Sequence, residues 1–82
     1  MKKEEIRNLL IEIFKEIAPD EDFSGLDDAV SIKDQINFDS MDFLDIIMSL
    51  RRECAIKIPE EDYPNFVTVE SSVQYIESRL NT

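Results

Sequence analysis

The sequence predicts a small all-α bundle of three main helices, one short helix and a long first loop. Three observations carry that expectation. Apolar residues recur at three- and four-residue steps in three separate stretches. One Gly and three Pro leave few of the tight turns that an all-β chain needs. A chain of 82 residues makes one domain, spanning 1–82, with a single modest core and a radius of gyration of about 12 Å.

The first helix reads from about Lys3 to Ile17. Ile6, Leu9, Leu10, Ile13, Phe14 and Ile17 form one apolar stripe, the charged residues fall outside it, and Pro19 stops it. From Ala18 to Asp39 the periodicity dissolves and acids gather: Asp20, Glu21, Asp22, Asp27, Asp28, Asp34 and Asp39 stand against Lys33 alone. A structureless loop that long is rare in a compact domain, so Leu26, Val30, Ile32, Ile36 and Phe38 are expected to tack it to the core, with one short helical turn.

The second main helix reads from Ser40 to about Glu53. Asp39 or Ser40 caps it, Asp42 suits the positive dipole end, and Arg51 and Arg52 suit the negative one. Its apolar set (Met41, Phe43, Leu44, Ile46, Ile47, Met48, Leu50 and Cys54) covers more than half the circumference. Such a helix is either buried on most sides or keeps a face for another molecule. Ile56-Lys57-Ile58 alternates like a strand but is too short to make a sheet. Pro59 opens a short helix through Tyr63, limited by Pro64. Thr68 caps the last helix from Val69 to about Leu80, with Val69, Val73, Ile76 and Leu80 inward.

Composition removes several functions. There is no His, so His-dependent hydrolytic triads and His-ligated zinc are excluded within the chain. The net charge of −10 repels nucleic acid and anionic membranes and attracts basic partners. The lone Cys54 forms no internal disulfide, and Met1-Lys2-Lys3 leads into alternating charge rather than a signal-peptide core; together these point to a cytoplasmic protein without membrane insertion, expected to be a monomer.

Three motifs compete for function. Asp20 to Gly25 fits the first half of an EF-hand calcium loop, but Asp27 and Ser31 occupy positions that need an apolar residue and a bidentate Glu. No metal site is therefore assigned, although an acidic calcium-binding or adaptor module stays as an alternative. Cys54 sits at a helix C-terminus, whose dipole disfavours a thiolate, and no His activates it, so it reads as core. Ser40 points a hydroxyl at the unpaired N–H groups of a helix start, a field that favours a phosphate.

The run Phe38-Asp39-Ser40-Met41-Asp42-Phe43-Leu44-Asp45-Ile46-Ile47-Met48-Ser49-Leu50, followed by Ile56-Lys57-Ile58-Pro59-Glu60-Glu61-Asp62 and Val67-Thr68-Val69, resembles the acyl carrier protein family over residues 36–80. The resemblance implies an acyl-carrier-type four-helix bundle, a non-catalytic carrier. It implies 4′-phosphopantetheine on Ser40, placed there by a separate phosphopantetheinyl transferase, with Asp39 supporting the modification. It implies acyl-loading and condensing enzymes as partners, in a dissociated fatty acid, polyketide or related specialised pathway; a peptidyl or aryl carrier is the alternative, which the lack of Gly-Gly before Asp39 disfavours. Met41, Asp42, Asp45, Met48 and Ser49 match the enzyme-facing side, and Ile47, Leu50, Ile58, Phe66, Val73 and Ile76 match an interior that shelters the acyl chain. Several residues depart from the family's pattern. Asn37 and Phe38 replace Gly and a small residue, with Asn37 tolerating a left-handed turn. Phe43, Cys54 and Phe66 differ in size, and Arg51 and Arg52 stand where acids are usual, an expected means of partner selection.

Overall fold

The computed structural model describes residues 1–80. Helix α1 spans Lys3–Ile17, a single turn α2 spans Ile32–Gln35, α3 spans Ser40–Cys54 and α4 spans Val69–Leu80, with a 3₁₀ segment at Glu60–Phe66 between the last two. Helix α1 packs against both α3 and α4, and the 3₁₀ segment packs on α4. The radius of gyration is 11.7 Å. No helix among the described residues is long and apolar enough to cross a membrane.

Each helix starts where its chemistry directs. At α3 the Asp39 side chain accepts from the Asp42 N–H at 2.8 Å, and the Asp39 N–H donates to the Asp42 carboxylate at 3.2 Å, a reciprocal cap. Asp39, not Ser40, is therefore the capping residue. At α4 the Ser71 N–H donates to the Thr68 hydroxyl at 3.0 Å. Helix α1 has a half cap: Glu5 accepts from the Lys2 N–H at 2.9 Å. Helix α3 ends on Ala55 in the left-handed region, φ 53°, where Gly would be the usual residue.

The long loop is held by its backbone and by three charged or polar side chains. Ile32 N–H donates to the Val67 carbonyl at 2.8 Å and Glu70 N–H to the Asp28 carbonyl at 3.0 Å. Arg7 grips the Asp28 carboxylate with two bonds of 2.8 and 2.9 Å, and that hydrogen bonding raises the guanidinium's already high pKa. Gln35 closes the turn through Asp27 and Val30. Of the expected anchors, Ile32, Ile36 and Phe38 are buried and Leu26 is partly buried. Val30 is exposed, because its carbonyl rather than its side chain is the anchoring group. Phe23 takes the inward place, its ring centroid 5.9 Å from that of Phe14.

Two further expectations are corrected. The turn before Asp39 needs no left-handed residue: Phe38 N–H donates to the Ile36 carbonyl across Asn37 at 2.9 Å, a tight turn with negative φ. The short helix does not stop at Pro64 but continues as a 3₁₀ segment to Phe66. Asp62 holds it, accepting from the Tyr75 hydroxyl at 2.6 Å and the Arg79 guanidinium at 2.7 Å, while its carbonyl accepts from the Asn65 amide at 2.9 Å. Val69, Val73 and Ile76 of α4 are buried as expected and Leu80 partly so; Ser72 is buried too, its hydroxyl donating to the Thr68 carbonyl at 2.6 Å.

Candidate functional site

Ser40 is the first residue of α3 and is exposed. Its hydroxyl makes no hydrogen bond among the described residues, because Asp39 and Asp42 have taken the capping role between them. A hydroxyl so placed is open to modification, and an anion on it would meet the positive end of a 15-residue helix.

Ser40 also lies on the rim of an apolar cavity of about 300 Å³. The buried walls include Leu10 and Phe14 of α1, Ile32 of α2, Ile46 of α3, and Phe38 and Phe66 from the connecting segments. Phe43 and Tyr63 are half-buried in the wall and meet edge to face at 6.2 Å, a favourable geometry for two rings. Lys33, Asp39, Ser40, Pro64 and Val67 form the exposed rim. A flexible substituent on Ser40 thus has water on one side and a preformed apolar hollow on the other, so the residues fit a phosphorylated arm that carries an apolar group.

The residues assigned by resemblance to an acyl-sheltering interior fall in two places. Ile47, Leu50, Ile58, Phe66, Val73 and Ile76 are all buried in one core. Phe66 alone of them lines the cavity; the other five fill the core elsewhere. The lining instead takes in Phe38 and Phe43, two departures from the family's pattern, together with Tyr63 of the 3₁₀ segment. Sequence reasoning did not assign these because the cavity is assembled from four separate segments, and no periodicity in any one of them points to it.

The outward side of α3 answers the question its excess of apolar residues raised. Ile46, Ile47, Leu50 and Cys54 face the core, while Met41 is 72%, Leu44 46% and Met48 55% exposed. Asp45, Arg51 and Arg52 are exposed beside them, and Asp42 and Ser49 partly so. The Arg51 guanidinium approaches the Met48 sulfur at 3.6 Å and Arg52 meets Glu53 at 3.9 Å, both loose contacts that leave the positive charge facing water. Leu44 belongs to the same face and was not among the residues assigned to it.

The competing motifs do not assemble. Asp22 accepts from both the backbone N–H and the hydroxyl of Ser24, at 2.9 and 2.7 Å, which lowers its pKa and closes a local turn. No three metal-ligating side chains are grouped among the described residues. Cys54 is buried, and desolvation, with the neighbouring charge of Glu53, pushes its thiol pKa up, away from a reactive thiolate.

Comparison with known proteins agrees with this geometry. Residues 4–76 match the family described as "Phosphopantetheine attachment site". Two curated proteins named "Acyl carrier protein", one from Brachyspira hyodysenteriae and one from its strain ATCC 49526 / WA1, are each 39% identical to the chain over 56 residues, 68% of this chain and 72% of theirs. The exposed hydroxyl at the start of α3, the hollow beside it and these matches lead to one conclusion: the chain belongs to the acyl carrier protein family, non-catalytic carriers of acyl groups that bear a covalently attached 4′-phosphopantetheine.

Proposed function

We propose that Ser40 is the attachment residue and that the chain acts as a single, discrete carrier domain, shuttling acyl groups between enzymes of a dissociated fatty acid, polyketide or related specialised pathway. The observation that carries this reading is the unbonded, exposed Ser40 hydroxyl at the start of α3, on the rim of the apolar cavity. When attached, the arm supplies a terminal thiol that holds the cargo as a thioester. Asp39 fixes the first turn of α3 and so fixes where Ser40 points. The apolar lining of the cavity suits the hydrocarbon part of an acyl group.

The partners are a separate phosphopantetheinyl transferase and acyl-loading and condensing enzymes, and the setting is the cytoplasm. Met41, Asp42, Asp45, Met48 and Ser49 form the docking side, with Leu44 at its centre. Arg51 and Arg52 place positive charge at the far end of that side and favour a dedicated partner over enzymes with uniformly basic docking patches. A second reading, an aryl or peptidyl carrier, is favoured by the rings of Phe38, Phe43 and Tyr63 in the cavity wall.

The test is intact-mass measurement after incubation with coenzyme A and a broad-specificity transferase. Wild type gains one phosphopantetheine and Ser40→Ala gains none; modification of the alanine variant, or none of wild type, refutes the assignment. Loading the holo protein with acyl and aryl groups of equal size then separates the two cargo readings by which one raises the melting temperature more.

A further inference from the structure

Phosphopantetheine on Ser40 adds a phosphodiester, and its negative charge, to a chain that already stands at −10. The position is electrostatically mixed. Asp39 and Asp42 are one and two residues away, and their reciprocal cap already occupies the Asp42 N–H. The helix start therefore offers the phosphate only the N–H groups of Ser40 and Met41, against two nearby carboxylates.

One cation shares the cavity rim with Ser40. Lys33 is the single basic side chain in the cavity lining and the single base between Ala18 and Asp39. Its backbone is fixed by the α2 turn, through Ile32 N–H to the Val67 carbonyl at 2.8 Å and Ile36 N–H to the Ile32 carbonyl at 2.8 Å. Its ammonium makes no ion pair or hydrogen bond among the described residues, although seven acids surround it in sequence. A base on a fixed backbone, with an unengaged cationic tip and in the same cavity lining as Ser40, is an arrangement suited to holding a phosphate by charge.

We infer that Lys33 pairs with the phosphodiester of the arm on Ser40, tethering the root of the arm to the cavity side of α3 and directing its distal end toward the hollow. Lys33 is a positioning residue and takes no part in transfer chemistry. The inference rests on Ser40 being the attachment residue.

The test compares apo and holo forms of wild type, Lys33→Met, Lys33→Arg and, as a control for net charge, Lys57→Met, which lies outside the cavity lining. Mass measurement first establishes that each holo form carries the arm. At low salt, Lys33→Met should move the ³¹P resonance of the holo protein. It should also lower the holo melting temperature, relative to its own apo form, by about 1–5 °C more than in wild type. Lys33→Arg should keep the wild-type behaviour, Lys57→Met should resemble wild type, and 0.5 M salt should erase the difference. An unmoved ³¹P resonance in Lys33→Met, or equal apo-to-holo changes in all four proteins, overturns the Lys33 assignment alone. Failure of wild type to take up the arm overturns the Ser40 reading with it.

Discussion

Helices α1 and α3 are both 15 residues long and both rich in apolar side chains, yet they use them differently. In α1, Ile6, Leu10, Ile13 and Phe14 are buried, and Leu9, Ile11 and Ile17 pack partly against the same core. In α3, four apolar residues go inward and three stand in water. Exposed apolar side chains add nothing to folding that a polar residue would not, and together they make a contiguous patch of the sort that marks an interaction surface. The contrast teaches that α1 spends its apolar residues on the core, while α3 divides them between the core and an exposed patch, the side proposed above for docking.

The widest gap between the two faces of α3 should appear in stability. Ile47→Ala, at a fully buried position, should cost about 2–5 kcal/mol, as should Leu10→Ala in α1. Met48→Ala should stay within about 0.5 kcal/mol, all read by urea denaturation. Equal losses for Ile47 and Met48 would break the comparison, because α3 would then be a folding element on both sides.

The helix starts give a smaller difference. Asp39→Ala removes one half of a reciprocal cap and should cost about 0.5–2 kcal/mol; Glu5→Ala removes the half cap of α1 and should fall at or below the lower end of that range. If the Asp39 cap fixes Ser40 for modification, the transferase should also work more slowly on Asp39→Ala than on Glu5→Ala.

The charge at the end of α3 sharpens the docking role proposed for its outward face. Arg51→Glu with Arg52→Glu should lose about 0.3–1 kcal/mol per residue from the helix C-terminus. The holo double variant should serve a generic ketosynthase better than wild type, with the gap closing as salt rises. Equal turnover of the two proteins at every ionic strength would leave the arginines with a helix-end role only.

How much of this was legible in the sequence follows from the range of the interactions concerned. The helices Lys3–Ile17, Ser40–Cys54 and Val69–Leu80 were readable to within a residue because periodicity and caps are local. Ser40 was singled out by its place at a helix start and by its motif; in the structure it is the first residue of α3, with an exposed hydroxyl. Side-chain burial in the long loop was less legible: Phe23 and Val30 are equally apolar, and only the Val30–Gln35 bond and the Phe14 ring decide which turns inward. The cavity was the least legible part, since Phe14, Phe38, Phe43 and Tyr63 meet only after four segments have packed. Pro64 misled for a local reason: it breaks an α-helix, but a 3₁₀ segment pinned through Asp62 to Tyr75 and Arg79 runs through it.

The division of α3 can be observed directly because the chain has three methionines, one ahead of α1 and two on the outward face of α3, all exposed. Methyl NMR of the protein titrated with a phosphopantetheinyl transferase reports on both regions in a single spectrum. The Met41 and Met48 methyl signals should shift or broaden in proportion to the enzyme added, while Met1 stays unmoved. A titration in which Met1 responds and Met41 and Met48 do not would place the docking surface on α1 and contradict the account.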